Sequence, residues 1–306
     1  MVRTAKPLRA WGARLLAPGR RWAIIPPYLF LLVFLALPFA LVVKISLAEA
    51  RFAVPPYTAL LSVRDQTVTL ALQFSHYAYL ATDGLYIDTY LNSVLVAAIT
   101  TLLCLLIGYP AAYAIASATP QRRTLYTLLV TLPFWTSALL RTYAWVGLLK
   151  NEGLINQALR WLGWIHEPLQ LYHSNAGVYI GMVYFYLPLM ILPLLDHLIK
   201  LDPRLLEAAD DLGAHPWSAF FTVTLPLSRR GISTGCLLVF IPAVGEYVIP
   251  EMLGGSDTLM IGRLMWDEFF NNMDWPMASA ITTAMVLLLL VPLVLLQRLQ
   301  DKEPSA

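Results

Sequence analysis

Charged side chains are scarce in this sequence. Only 13% of the 306 residues are Asp, Glu, Lys or Arg, about half of the roughly 25% that is usual in soluble domains, whereas 58% are hydrophobic. The formal net charge is only +2, and no basic stripe interleaved with aromatic residues runs along the chain, which excludes a nucleic-acid-binding function. With a mean hydropathy of +0.63, the composition is that of an integral membrane protein.

The sequence also lacks the residue patterns typical of disulfides, metal sites and nucleotide hydrolysis. Cys104 and Cys236 lie inside apolar runs, where cysteine packs as a small hydrophobic residue, so neither a disulfide nor a metal site is expected. The histidines lack metal-ligand spacing; they are His76, His166, His173, His197 and His215. The sequence has no phosphate loop of the Walker type, so the chain cannot hydrolyse ATP by that route, and no cofactor is expected.

Six stretches are long and apolar enough to cross a membrane as helices, which takes roughly 20 residues each. The predicted spans cover residues 22–47, 90–117, 125–149, 175–199, 231–250 and 277–299. The first span is followed by Ala48-Glu49-Ala50, which resembles a signal-peptide cleavage site. Because its apolar run is longer than the roughly 15 residues of a signal core, the span is expected to remain uncleaved. The sequence therefore predicts an all-α membrane protein with one domain over residues 1–306.

Basic residues indicate the orientation of these spans. One set of flanks holds most of them: Arg3, Lys6, Arg9, Arg14, Arg20, Arg21, Arg122, Arg123, Lys200, Arg204, Arg229, Arg230, Arg298 and Lys302. Because Lys and Arg favour cytoplasmic flanks, both termini are predicted to be cytoplasmic. The loop 51–89 is then on the outer side, where short helices at the membrane interface are expected.

The cytoplasmic loop 200–229 is predicted to fold as two short capped helices. Asp202 can cap the first helix, which runs to Leu212, and Gly213 supplies a left-handed stop. Pro216 starts a second helix through about Phe221, and Pro226 is expected to end the unit.

An apolar stripe runs along the first of these helices, because apolar residues recur there at three-and-four spacing. Its members are Leu205, Ala208, Ala209 and Leu212, bordered by Glu207, Asp210 and Asp211. The stripe can dock on a partner or rest against the cytoplasmic ends of the chain's own spans, and the residues alone leave both interpretations open.

The loop sequence resembles the EAA loop of membrane subunits of bacterial type I ATP-binding-cassette importers. The matching residues are Glu207-Ala208-Ala209, Gly213-Ala214, Phe220, Val223 and Leu225-Pro226-Leu227. The stretches "LLVFIPAVGEYVIPEMLGG" (237–255) and "LPFWTSALLRTYAWVGLLKNEGLINQALRWLG" are similar to permeases of polyamine importers. One departure is local: many members have Pro-Gly-Ile after the Leu-Pro-Leu, where this chain has Arg229-Arg230-Gly231-Ile232.

This resemblance implies a function and a set of partners. The loop would be a coupling helix in a cleft of a cytoplasmic ATPase, through Glu207, Ala208, Ala209, Asp210, Leu212, Gly213 and Ala214. It implies a homologous second permease, two copies of the ATPase, which uses the ATP, and an extracytoplasmic polyamine-binding protein. The chain would lie in the bacterial inner membrane as a permease subunit for putrescine or spermidine; permeases for iron, phosphonate or sulfate remain alternatives.

Glu246 is the most notable charge predicted at membrane depth, with Tyr247 beside it. Since polyamines are cationic at neutral pH, a carboxylate and aromatic faces suit a transient site for them. The alternative is a carboxylate near the outer interface that is hydrated or paired with an arginine. Further candidate pathway rings are Trp135, Tyr143, Trp145 and Tyr184.

Other polar residues in or near the spans have less defined roles. Arg141 would repel a polyamine, so it is expected to reach the interface or to pair with a carboxylate of this chain or of its sister subunit. Asp196 and His197 mark either an exit for cargo or a solvated boundary of the fourth span.

The segment Gly231-Ile232-Ser233-Thr234-Gly235 matches the G-x-S-x-G pattern of serine hydrolases. That pattern requires a strand before it and a helix after it, whereas a loop and a span are predicted here, so an intramembrane hydrolase is the less favoured alternative and no catalytic residue is expected. Gly231 and Gly235, like Gly177 and Gly181, are four residues apart, which lets helices approach closely.

Overall fold

The computed structural model describes residues 18–51, 53–64, 67–255 and 258–301. The basic residues Arg3, Lys6, Arg9, Arg14 and Lys302, on which the predicted orientation partly depends, lie outside the described residues. As far as it is described, the chain divides into two compact units, one of residues 1–76 with 274–283 and the other of residues 77–273 with 284–306.

Helices make up most of the described chain. In chain order they are α1 (Pro18–Leu31), α2 (Leu37–Ser46), α3 (Ser75–Thr82), α4 (Gly84–Ala116), α5 (Pro120–Thr131), α6 (Ala138–Leu149), α7 (Leu154–Trp161), α8 (Asn175–Ile199), α9 (Arg204–Asp211), α10 (Pro216–Ala219), α11 (Leu225–Leu227), α12 (Arg229–Val244), α13 (Val248–Leu253), α14 (Ile261–Trp266) and α15 (Trp275–Asp301). Wider π-helical turns occupy Leu32–Ala36, Phe220–Thr224 and Asp267–Asn271, and a tighter 3-10 turn occupies Leu132–Trp135.

Within the described residues, four unbroken helices are long and apolar enough to cross a membrane. They are Ile24–Ser46, Gly84–Ala116, Asn175–Ile199 and Trp275–Val294. These helices confirm the predicted first, second, fourth and sixth spans as apolar helices. The helix α4 starts earlier than predicted because the Asp83 carboxylate accepts a hydrogen bond from the Leu85 N–H (2.8 Å) and so caps it.

The residues of the third and fifth predicted spans form broken helices instead of continuous ones. Between α5 and α6 the chain passes through the 3-10 turn containing Pro133 and then an extended Thr136. Pro133 lacks a backbone donor, which accounts for the change from α-helical to 3-10 hydrogen bonding at this turn. The fifth stretch divides after Val244 into α12 and α13.

The loop 51–89 contains a β-hairpin, which the sequence analysis did not predict. Strand β1 (Leu61–Arg64) pairs antiparallel with β2 (Thr67–Leu70), and Val63 lies opposite Val68. The Val and Thr residues at alternate positions suit a pleated surface better than a helix. Among the described residues of this loop, only α3 matches the expected short helices, so the all-α class holds for the spans but not for this loop.

Helices α4, α8 and α12 pack on one another around Met190, which is fully buried. A Cβ atom on Gly235 of α12 would lie 2.7 Å from Met190 Sδ, and one on Gly108 of α4 would lie 3.1 Å from Met190 Cγ. A Cβ on Gly231 would lie 2.9 Å from His197 Cβ. The predicted close approach at the Gly231 and Gly235 pair is therefore confirmed, and it is directed at α8.

We expect Gly235→Leu to destabilise this three-helix core, because the added side chain has no room beside Met190. Overpacking of this kind costs about 1–3 kcal/mol. The measurement is the thermal unfolding midpoint of the purified protein in detergent. Gly147→Leu is the matched control, since Gly147 is also helical but a Cβ added there would have no neighbouring atom within 4 Å. Equal melting temperatures for the two variants would contradict the packing role of Gly235.

Candidate functional site

The Glu246 carboxylate lies at the break between α12 and α13. Its Oε1 accepts hydrogen bonds from the backbone N–H groups of Tyr247 (3.2 Å), Val248 (3.0 Å) and Ile249 (3.4 Å). Its Oε2 accepts a hydrogen bond from the Tyr186 hydroxyl on α8. The first amides of a helix have no partner within the helix and carry partial positive charge, so this carboxylate completes the start of α13.

This geometry differs from the alternative interpretation of Glu246, in which the carboxylate is hydrated or paired with an arginine. Within the described part of the chain, Glu246 forms no ion pair with an arginine, and the residue is half-buried instead of fully hydrated. Tyr186, its side-chain partner, was not among the predicted site residues. Nothing in the sequence links the two positions, which only the packing of α8 brings together.

An aromatic row begins at Tyr247, directly after Glu246. The Tyr247 ring stacks on Trp266 of α14, with centroids 4.7 Å apart and planes 12° from parallel. Trp266 in turn contacts Phe270, with centroids 4.1 Å apart. Tyr247 is a predicted pathway residue, whereas Trp266 and Phe270 are not among the predicted residues. The four-residue spacing of Trp266 and Phe270 places them on one helical face, and this spacing is the sequence pattern by which they could have been found.

Carboxylates accompany this row of rings. Arg263 Nε lies 2.8 Å from Glu251 Oε2 and 4.0 Å from Asp267 Oδ2. The three side chains are each about one-third exposed, so water partly screens the pairs. We call Tyr247, Trp266, Phe270, Glu251 and Asp267 the acidic-aromatic cluster. With one arginine between two carboxylates, its net charge is negative.

Two of the other predicted rings form a second contact, on α6 and α8. Trp145 meets Tyr184 edge-on, with centroids 5.3 Å apart. Trp135 and Tyr143 are exposed and belong to neither group of rings. The structure thus brings together only some of the predicted pathway residues, in two separate places.

Arg141 lies beside this second group. Its guanidinium carbon is 4.1 Å from the Phe185 ring centroid and 5.8 Å from that of Phe134. Its Nε and Nη1 are buried and have no hydrogen-bond partner within the described residues. The expected carboxylate partner from this chain is therefore not found there, and aromatic faces stabilise the charge instead.

The end of α8 is a solvated boundary. Asp196 Oδ2 accepts a hydrogen bond from Lys200 Nζ at 2.7 Å, and both side chains are mostly exposed. His197 Nε2 lies 3.0 Å from the Leu227 carbonyl oxygen, which ties the end of α8 to α11. Of the two interpretations offered for Asp196 and His197, the structure supports the solvated boundary.

The loop after α8 contains the predicted helix pair. Asp202 Oδ1 accepts a hydrogen bond from the Arg204 N–H (3.0 Å) at the start of α9, and Gly213 has φ +78° after its end. These two features confirm the predicted cap and the left-handed stop. The predicted end of the second helix is wrong, because the chain stays helical through α11 to Leu227.

The surface of this loop is apolar and uncovered. No residue of α9 is buried, and Leu212 is 89% exposed. Trp217, which stacks on Phe221 with centroids 6.5 Å apart, is 70% exposed. The interpretation that the chain's own helices cover the stripe is therefore wrong for Leu212. We call Leu212, Trp217 and Phe221 the exposed loop face.

The hydrolase alternative is wrong on structural grounds. Ser233 lies inside α12, and its hydroxyl donates to the Arg230 carbonyl oxygen at 3.0 Å. The residues before Ser233 are helical, so the strand-to-helix turn that exposes a nucleophilic serine is not formed here.

The fold matches that of a solved importer. Its backbone superimposes on a bacterial ABC transporter involved in the import of the acidic polysaccharide alginate, with a TM-score of 0.67 over 97% of this chain and 100% of that chain. At 16% sequence identity, this likeness establishes the fold alone. Together, the apolar helices and this fold define a helical membrane protein with the fold of that transporter.

The chain belongs to the family of binding-protein-dependent transport system inner membrane components, whose profile matches residues 19–304. It is 42% identical to the spermidine/putrescine transport system permease protein PotB of Haemophilus influenzae over 207 residues, which are 68% of this chain and 72% of that protein. It is 41% identical to the Escherichia coli protein of the same name over 213 residues, covering 68% and 78% of the two chains. Members of the family are transport permeases and not enzymes.

We expect Glu246→Ala to lower the thermal unfolding midpoint of the purified protein, because it leaves the amides that start α13 and the Tyr186 hydroxyl without an acceptor. Each unsatisfied buried group costs about 1–3 kcal/mol. Glu246→Gln is the matched variant, since it keeps a carbonyl acceptor and should retain more of the stability. If the alanine variant melted at the wild-type temperature, the carboxylate would have no capping role.

Proposed function

We propose that the chain is the permease subunit of an ATP-driven importer of the polyamines putrescine or spermidine, and that it forms half of the translocation pathway. The observation that carries this proposal is identity of about 40% to permeases named for spermidine and putrescine transport, over two-thirds of this chain. The two broken stretches would complete six crossings, with both termini in the cytoplasm. The chain would work as an alternating-access subunit driven by a partner ATPase.

The exposed loop face supports coupling to that ATPase. Large apolar side chains that stay in water on a well-capped helix pair are typical of an interaction site. Leu212 and Trp217 project from this loop, and Glu207 and Asp210 give it an acidic border. Closure of two ATPase copies around such loops would pull on α8 and α12, which the loop joins.

The acidic-aromatic cluster supports a cationic cargo. Ring faces attract ammonium groups by about 0.5–2 kcal/mol each, and carboxylates add Coulomb attraction. Glu251 and Asp267 hold Arg263 between them, and a polyamine ammonium could take the place of that guanidinium. Glu246 then contributes by fixing the helix start that positions Tyr247, and by adding negative charge close to the rings.

The negative charge of the acidic-aromatic cluster argues against an anionic cargo. The chain is 31% identical to a molybdenum transport permease of Azotobacter vinelandii, but over only 52% of its length. Phosphonate or sulfate would be repelled by Glu251 and Asp267. A polyamine therefore fits this chain better than the anionic alternatives do.

Three further partners follow from the proposal. They are a homologous second permease, two ATPase copies and an extracytoplasmic polyamine-binding protein. One solved structure with the same fold, at a TM-score of 0.66 and 16% identity, is an alginate transporter in complex with its periplasmic protein. Outer elements such as α7 and α14 are the surfaces on which a binding protein would dock in the proposed orientation.

The cargo can be tested with the assembled complex in lipid, by measuring ATP hydrolysis while its binding protein is loaded in turn with putrescine, spermidine or a non-cationic solute. We expect one or both polyamines to stimulate hydrolysis, since cargo-loaded binding protein drives closure. An intact complex that responds to neither polyamine would refute the cargo assignment while leaving the importer class in place.

Coupling can be tested at Gly213. We expect Gly213→Val to abolish cargo-stimulated ATP hydrolysis or to release the ATPase, because a β-branched residue at φ +78° costs about 1–2 kcal/mol and deforms the end of α9. Gly163→Val is the control: Gly163 also has positive φ (72°) and open space around it, but lies in a loop that we place on the outer side. A Gly213 variant that assembles and transports like the Gly163 variant would contradict the coupling role.

A further inference from the structure

A cavity of about 250 Å³ lies where the exposed loop joins the spans. Its lining comes from the end of α4, the start of α5, the end of α8 and the segments around α9 and α11. Most of the lining is apolar, and its polar side chains include Ser117, Arg123, Asp202 and Thr224. Because α4 and α8 are apolar spans that both end here, the cavity lies at a level where phospholipid headgroups meet the protein.

Two polar groups in this lining are buried and lack a hydrogen-bond partner. Thr224 is only 2% exposed, and its Oγ1 forms no hydrogen bond within the described chain. The Nε of Arg123 is buried and equally unpartnered. Leaving such groups unsatisfied is costly, and the cost is larger when the group is charged.

The rest of the Arg123 side chain is fixed in place. Its Nη2 donates hydrogen bonds to the carbonyl oxygens of Ala116 (2.6 Å) and Ala118 (3.3 Å), at the end of α4. No carboxylate among the described residues forms an ion pair with it; Asp202 accepts instead from the Arg204 N–H (3.0 Å). The guanidinium is thus held at the cavity with its charge uncompensated.

We propose that this cavity binds the headgroup of a zwitterionic phospholipid, with the phosphate on Arg123 and Thr224. A phosphate oxygen accepts from both an arginine N–H and a threonine hydroxyl, and arginine is well suited to such contacts. Asp202 lines the same cavity and offers a carboxylate to the headgroup amine. The apolar lining, which includes Leu198, Leu205 and Val223, accommodates the start of the acyl chains.

A lipid seated here would touch the parts of the chain that the proposed coupling to an ATPase would move together, and this step rests on that proposed function. The lining includes Leu205 of α9 and Thr224 of the π-helical turn before α11, together with the ends of two spans. A bound headgroup therefore bridges the loop and the spans, and its loss would loosen that joint. This role does not depend on which polyamine, or which other cargo, the permease carries.

The test uses the intact permease–ATPase complex in detergent, titrated with short-chain dioctanoyl phosphatidylethanolamine and followed by native mass spectrometry. We expect Arg123→Gln and Thr224→Val each to weaken binding, by about tenfold for the arginine, which is the scale of one charge-assisted hydrogen bond. Thr224→Val is needed because Arg123→Gln also removes bonds that cap α4. Arg122→Gln and Thr222→Val are matched controls, since both residues are exposed and lie outside the lining.

Each outcome of this titration either supports or contradicts the headgroup site. Weaker binding in the two lining variants but not in the two controls supports the headgroup site. Equal binding in all variants would overturn it, as would no binding to the wild-type complex. If inorganic phosphate competed with the lipid at similar concentration and was lost in the same variants, the site would bind free phosphate and the lipid assignment would be wrong.

Discussion

The hydrogen bonds accepted by Glu246 are the interaction on which the rest of the site depends. In hydrocarbon every backbone amide needs a partner inside the protein, so a span can break only where something replaces the lost helical bonds. At the break after α12, one carboxylate oxygen serves three successive amides while the other binds the Tyr186 hydroxyl. These hydrogen bonds replace the lost helical ones and so allow the chain to turn from α12 into α13.

The turn has consequences for packing on both sides. It places α13 against α8 where Gly181 leaves room: a Cβ there would lie 2.6 Å from Leu253 Cδ1 and 2.9 Å from Ile249 Cγ2. It also exposes the Tyr247 ring to Trp266, which starts the aromatic row. The room left by Gly181 on α8 and the capped break after α12 therefore position α13 together.

Sequence patterns were most informative where a structure is decided by neighbouring residues. The span 175–199 was predicted with the bounds found for α8, and Asp202 and Gly213 act locally as cap and stop. The breaks in the third and fifth stretches were missed because an apolar run looks the same whether it is continuous or interrupted. The partner of Glu246 is 60 residues away in sequence, and the exposed or covered state of Leu212 depends on tertiary packing.

Arg263 and Arg141, the two arginines close to the predicted pathway rings, are compatible with the proposed cationic cargo because each is compensated differently. Arg263 is shared by Glu251 and Asp267, so the surrounding charge stays negative even with the arginine present. Arg141 instead lies over Phe185, where the ring face stabilises its charge. Since a diamine carries its charges at both ends, the carboxylates and ring faces of the acidic-aromatic cluster would hold one end of the proposed cargo at a time. Weak binding of this kind would favour release over retention, which the proposed role as a permease requires.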